Sequence, residues 1–312
     1  MKVKIAVLLM MCLWVTGTSF GQNDPFAQKS DTNIVIVSGT EVGSYYAIAN
    51  DIKKFFGPKI FIKPSLGAVN NYDLLINDQT VDIGLIQYDV LLKGKNFDYQ
   101  NKTKVSENLK VLLTLGGEEI HLIAAANGGI MSISDLAGKK VGVGVPDKEG
   151  TNVTAGLIKS VTGIPWIDVN ISFDSAFVAL IKGEIDALFF VGYAPVNKLK
   201  DMLPTFSQLI RLLPIKDERL GQFHIKKTIP AGTYPWLFYD VQTFAVRSYI
   251  ATNVKNESPA DSEKLENFLE SIKDNIDWFK KNGHPAWQHV DFTFKDTKWE
   301  IHPVAKKVFN LK

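Results

Sequence analysis

The sequence predicts an α/β protein of two similar lobes, each a mainly parallel sheet flanked by helices. Short β-branched runs alternate with helical stretches along most of the chain, which argues for parallel strands covered on both faces. The runs are continuous rather than alternating, as in strands buried on both sides; Ile34-Val35-Ile36-Val37 is one. A unit of helix end, turn, Asp and strand also occurs twice. It spans Leu75 to Leu85 around Asp82, and Ile181 to Leu188 around Asp186.

Each element follows from local chemistry. After the strand Ile34 to Val37 comes a loop, Ser38 to Ser44, then a helix from Tyr45 to Phe56 stopped by Gly57-Pro58. Ile60-Phe61-Ile62 is a second strand and Ser65-Leu66-Gly67-Ala68 a second small-residue loop, followed by a short helix from about Asn70 to Asn77. Asp82 to Ile86 is a third strand, ending at Gln87-Tyr88-Asp89. In the second block, Val111 to Leu115 and His121 to Ala126 are apolar runs separated by Gly116-Gly117-Glu118-Glu119. A short helix and turn, Ser132 to Lys140, leads into the strand Val141-Gly142-Val143. Helices follow at about Thr151 to Val161 and Ala176 to Ile181, then a strand from Ile185 to Phe190. Near the C-terminus Ser258, Pro259 and Asp261 form a capping-box start. Leu265, Phe268, Leu269, Ile272, Ile276 and Phe279 then share one helical face until Gly283 and Pro285.

Composition narrows the function classes. The 312 residues carry 35 Lys+Arg against 33 Asp+Glu, a net charge of +2, which leaves no electrostatic footprint for nucleic acid. Mean hydropathy is +0.01. Lys2 and Lys4, the apolar run Ile5 to Val15, and the small residues of Ser19-Phe20-Gly21 match a cleaved secretory signal peptide over residues 1–21. The run is short for a membrane span of about 20 residues, so cleavage and a location outside the cytoplasm are expected, and the family resemblance given below makes that location the periplasm. Cys12, the single cysteine, falls inside this leader, and Met11 before it does not fit a lipidation signal. The mature chain is therefore expected to hold no disulfide and no thiolate metal site.

In open parallel sheets ligands bind beyond the carboxyl ends of strands. Those positions hold Gly39-Thr40, Gly43-Ser44-Tyr45, Ser65, Gly67, Gln87, Gly150-Thr151 and Gly192-Tyr193. Such residues allow close backbone approach, and helix starts nearby offer free N–H groups to an anion. The same residues also cap helices and turn chains, so loop chemistry alone leaves both readings open. Tyr45, Tyr46 and Tyr234 are cleft candidates with the same alternative of simple packing.

Nothing assembles into catalytic machinery. His121 begins an apolar strand and reads as a packed residue, while Pro285 separates His284 from His289 and argues against a shared metal. No G-x-S-x-G elbow, Walker loop or dinucleotide fingerprint occurs. No enzyme activity, metal or cofactor is expected.

Ser38-Gly39-Thr40-Glu41-Val42-Gly43-Ser44-Tyr45-Tyr46, Ser65 to Asn71, and Val81 to Val90 together resemble the TAXI family of TRAP-transporter solute receptors. Leu136 to Gly144, Gly183 to Phe190 and Ile229 to Tyr234 continue the likeness in order. The resemblance implies a type II periplasmic binding fold, with residues 22–118 plus 245–312 as lobe one, 119–244 as lobe two, and a hinge between them. It implies a monomeric receptor that captures a small anionic or zwitterionic solute, a carboxylate or amino acid, and delivers it to a TRAP permease driven by an ion gradient. From lobe one Gly39, Thr40, Ser44, Tyr45, Ser65, Gly67 and Gln87 are expected to line the cleft, and from lobe two Thr151, Thr154 and Phe190, with Tyr234 as a further candidate.

Two segments depart from the family pattern, Glu41-Val42 and Asp147-Lys148-Glu149. Their charges are expected to face solvent, since buried unpaired charge is rare; the other reading is a different ligand. The rival functions are a same-fold receptor for another transporter or a sensor kinase, an extracytoplasmic hydrolase, and a surface interaction protein.

Overall fold

The computed structural model describes residues 32–41 and 43–312; the leader and Val42 lie outside the described residues. Two three-strand parallel units form the frame. The first comprises β1 (Ile34–Val37), β2 (Ile60–Lys63) and β3 (Ile83–Gln87), in the order β2-β1-β3. Two long strands follow or return beside it: β4 (Leu109–Ala125) and, later in the chain, β10 (Val241–Asn253). The second unit comprises β5 (Lys140–Gly142), β6 (Ile167–Val169) and β7 (Ala187–Gly192), in the order β7-β5-β6. Strands β8 (Ile210–Leu213) and β9 (Ile225–Ile229) add to β4 and β10, both antiparallel.

The units are built alike. Asp82 Oδ2 accepts from the Val35 amide at 2.8 Å, and Asp186 Oδ2 accepts from the Lys140 amide at the same distance. In each, the Asp preceding the last parallel strand pins the first strand of its unit. The repeated Asp-strand signal thus marks equivalent joints. Asp82 has a further partner, Lys264 Nζ at 2.8 Å, and this pair is buried.

The backbone ladder is continuous through all ten strands because β4 and β10 run through both halves, antiparallel to each other. The two apolar runs expected as separate elements are thus one 17-residue strand. Gly116 (φ +81°) bends it without ending it, in a position where a Cβ would lie 2.5 Å from His289 Cβ. On β10 the register shifts between Arg247 and Tyr249. Around this bend the apolar core divides. One cluster gathers residues between Ile34 and Leu115 and between Tyr249 and Phe309, joined by Tyr193; two others lie between Ile120 and Val246.

Helices α1 (Ser44–Phe56), α2 (Ala68–Asn77) and α3 (Tyr88–Asn101) follow β1, β2 and β3, while α4 (Gly150–Thr162) and α5 (Phe173–Ile181) follow β5 and β6. The sequence pattern does not predict α3: its residues are largely polar and include Gly94, so no clear apolar stripe announces it. The segment Ser132 to Lys140 contains only a 3-10 turn, Ile133–Leu136, with the Ser132–Asp135 capping box. The capping box of Ser258 and Asp261 is formed, but the helix it starts, Pro259–Asp274, ends at Asn275 and a second, Ile276–Asn282, follows. Asn275 leaves the helical region (φ −118°) and its side-chain amide donates to the Ser271 carbonyl at 2.9 Å. Among the described residues no helix is long and apolar enough to cross a membrane.

Candidate functional site

The loops after β1, β2 and β3 press against the start of α4 across a gap between the halves that direct contacts close. The Gly39 carbonyl accepts from the Ser65 amide at 3.2 Å, tying the first loop to the second. Gly67 (φ +132°) presses against the facing loop so closely that a Cβ would meet the Lys148 carbonyl oxygen at 2.9 Å. Gln87 packs on Gly150, where a Cβ would lie only 1.7 Å from Gln87 Oε1. Three bonds also cross the gap. Thr154 Oγ1 donates to Asp89 Oδ2 at 2.8 Å, His224 Nε2 reaches the same oxygen at 2.9 Å, and Lys93 pairs with Asp147 at 3.0 Å.

The long helices that start at the gap lack side-chain caps, as do the short helices Asn197–Lys200, Pro204–Ser207 and Ile276–Asn282 elsewhere. The N-caps of α1, α2, α3 and α4 are Gly43, Gly67, Gln87 and Glu149, and none makes a side-chain cap. Helix α5 and the helix Pro259–Asp274, whose starts lie elsewhere, are capped by Ser172 and Ser258. Four helix starts at the gap thus keep amide donors unspent by side-chain caps, where their dipoles favour an anion.

Beneath these starts lies Glu118, on the bend of β4. Tyr45 donates to its Oε1 at 2.5 Å and Gln87 Nε2 to its Oε2 at 3.1 Å. Burial pushes the Glu118 carboxyl up to about 8, outweighing those two bonds, with Glu119 and Asp89 adding in the same direction. Burial, with Glu118 close by, also raises Tyr45 and Tyr193. Tyr193 bonds the Leu115 carbonyl at 3.2 Å and Ser248 Oγ, joining the end of β7 to the middle of β4 and of β10 at the bend.

The sequence-predicted residues divide by location. Gly39, Tyr45, Ser65, Gly67, Gln87, Thr151 and Thr154 gather at the gap, while Ser44 begins α1 and Thr40 is exposed beside it. Some of their polar groups are already engaged. Ser65 donates to Asn71 Oδ1 at 2.5 Å, and Thr151 Oγ1 accepts from the Val191 amide at 3.2 Å. Tyr234 lies in a buried core cluster, and Phe190, half-buried, packs against that cluster. Phe190 packs on Phe173 with ring centres 4.7 Å apart, and Tyr234 bonds His121 Nε2 at 2.7 Å. His121 is fully buried and held neutral, its pKa lowered to about 4 by desolvation. Among the departures, Glu41, Asp147 and Lys148 are exposed, whereas Glu149 is half-buried and shifted upward by that burial.

Sequence reasoning named Tyr193 only as a strand-end residue and passed over Glu118, Asp89 and His224 as site residues. A Glu-Glu pair between apolar runs and an Asp at a strand end were visible, but as isolated residues they are commonplace. Among the described residues no group of three or more His, Cys, Asp or Glu could hold a metal. A surface groove of about 450 Å3 lies elsewhere, lined by Lys216, Glu218, Lys226, Lys227 and Gln242 among others. Its polar side chains are mostly solvated, so the buried polar cluster at the gap is the better candidate.

The sequence matches the NMT1-like family over residues 36–290. An ancestral arginine-binding protein, solved with arginine, has a TM-score of 0.51 at 16% identity, covering 81% of this chain and 98% of its own. XAC2383 from Xanthomonas citri, solved with ATP, has a TM-score of 0.50 at 12% identity, covering 89% of this chain and 94% of its own. At such identities the likeness is one of fold, and the fold is the two-lobed type II arrangement of periplasmic binding proteins.

Proposed function

This chain belongs to the NMT1-like family, and on that premise we propose that it is an extracytoplasmic solute receptor of the TAXI type. It captures a small carboxylate or amino acid between its lobes and delivers it to a TRAP permease. The lobes comprise residues 22–118 plus 245–312 and residues 119–244. Residues 1–21 are the cleaved leader that sends the chain to the periplasm, where it acts as a monomeric carrier rather than a catalyst.

The observation that carries this reading is the set of four helix starts without side-chain caps at the gap. Each first turn presents amide donors that water satisfies when the lobes are apart and a solute carboxylate satisfies when they meet. A dipole contributes about 0.3–1 kcal/mol at an exposed helix end and up to about 2 when partly buried, so burying the anion between several of them favours closure. The lobes turn about Gly116-Gly117 on β4 and the register shift after Arg247 on β10. Closure brings Asp89 to Thr154 and Lys93 to Asp147, and the closed shape is what the permease reads. The solute acts by preferring that state.

Two measurements test the reading. A carboxylate and amino-acid library should contain compounds that raise the melting temperature with the concentration dependence of one-site binding; a flat response across the library removes the receptor assignment. Thr151→Ala should weaken the best compound by calorimetry without lowering the ligand-free melting temperature by more than a few degrees. Unchanged affinity would take Thr151 out of the site.

A further inference from the structure

We propose that Glu118 makes lobe closure a proton-binding step: its carboxyl holds a proton while the lobes are together and releases it to solvent when they part, so that the receptor shuts more firmly in mildly acidic than in alkaline medium. This rests on the receptor reading and adds a regulation to it.

Glu118 follows Gly116-Gly117 on the bend of β4, the stretch about which the lobes turn, and pairs with Val246 of β10. Its side chain reaches lobe one, where Tyr45 and Gln87 donate to it. Gln87 in turn packs on Gly150 of lobe two, so the contact that shuts the gap also covers the acid, which is 4% exposed. Parting the lobes takes α4 off Gln87 and lets water reach the carboxyl.

The neighbours decide which charge state closure prefers. Asp89 and Glu119 are acids close enough to oppose a charge on Glu118. Each has its own partners: Asp89 takes Thr154 and His224, and Glu119 takes the Ala194 amide with Lys227 nearby. His224 and Lys227 thus serve Asp89 and Glu119 rather than Glu118, and Arg247 on β10 donates to the carbonyls of Phe223 and Asp296. Tyr45 and Tyr193 face the carboxyl as phenols kept neutral by burial. His284, whose ring lies 5.5 Å from Tyr193, and His289, against Gly116, are held below the ordinary imidazole range by burial, so neither gains charge above neutral pH.

In the closed molecule burial, reinforced by the two acids, lifts the Glu118 carboxyl to about 8. Reached by water, it returns toward the ordinary glutamate value of about 4.3. Between these values closing takes up a proton from solvent. The advantage of the closed form is complete below the lower value and is lost as pH rises toward the upper one. Across that window the closing constant falls by up to about tenfold per pH unit.

The test uses the full mature chain without solute, followed by small-angle scattering at fixed ionic strength. The radius of gyration should grow as pH rises from about 5 to about 8 and level off beyond. In Glu118→Gln, uncharged throughout, that expansion should be absent. Tyr45→Phe removes a donor that favours the charged carboxyl, so its expansion should move to higher pH; it supplies the readout if Glu118→Gln melts early. The same pH response in the parent and both variants would overturn the assignment to Glu118. A parent radius that ignores pH would overturn the inference, and calorimetry with the carboxylate and amino-acid library then separates the two readings. Binding of any compound leaves the receptor standing, whereas binding of none counts against both.

Discussion

Asp89, in the first turn of α3, accepts a buried hydrogen bond from Thr154 on α4, at 2.8 Å and across the gap between the lobes. Each belongs to a different parallel unit, so the bond exists only while the lobes are together. Hydrogen bonds to charged groups contribute about 1.5–3 kcal/mol, enough to shift an open–closed balance by one to two orders of magnitude. Thr154→Val removes the donor with little change in shape. The ligand-free variant should show a larger radius of gyration by small-angle scattering, and bound solute should leave it faster. An unaltered radius together with an unaltered off-rate would show that the bond does not latch the lobes.

Gly150 tests closure from the steric side. Alanine there should favour α4 by up to about 1 kcal/mol through helix propensity, yet its Cβ would lie 1.7 Å from Gln87 Oε1 in the closed form. Gln87 must then swing away and give up its bond to Glu118. Gly150→Ala should therefore melt no lower than the parent while binding solute at least tenfold more weakly. Adding Gln87→Ala should relieve the clash but not restore the Glu118 contact. A variant that keeps full affinity would show that the glycine is not required for close approach.

Glu118 makes stability depend on pH in a defined direction. Its carboxyl is raised from 4.5 to about 8 in the folded chain. Between those values the folded state holds a proton that the unfolded state has released, so the stabilisation present at low pH is lost as pH rises toward 8. His121 acts oppositely. Its pKa is lowered from 6.5 to about 4, so stability falls as pH drops below about 6.5. Glu118→Gln isolates the first effect: denaturant titrations should show a gain over the parent that grows from pH 5 to pH 8, by up to a few kcal/mol. A constant difference across that range would mean that the acid titrates normally.

The twin joints at Asp82 and Asp186 should respond unequally. Both hold a neighbouring strand amide at 2.8 Å, but only Asp82 also meets the buried Lys264. Asp186→Ala should lower unfolding free energy by about 1 kcal/mol. Asp82→Ala strips a partner from a buried cation and should cost about 3–5 kcal/mol. Comparable losses in urea titrations would show that the ion pair adds nothing to the shared joint.

The sequence alone determined what depends on near neighbours. The apolar runs of β1, β2, β5 and β7, the glycine-rich strand ends, the repeated Asp-strand unit and the Ser258–Asp261 cap all follow from residues within a few positions of one another. Loops at those strand ends offered Tyr45 and Gln87 as candidates, while Thr154 came only from the family resemblance. Only the tertiary structure decided that Gly116-Gly117 bends a strand rather than ending it, and that β10 returns beside β4 to join the lobes. It also decided that Asp89, Thr154 and His224 meet, though 65 and 135 residues separate Asp89 from its partners, and that Tyr234 turns instead toward His121. Periodicity and turn chemistry act over a few residues, whereas pairing across such distances is set by strand order and by which faces must be buried together. A lone acidic residue has no local signature of the oxygens that topology will set beside it.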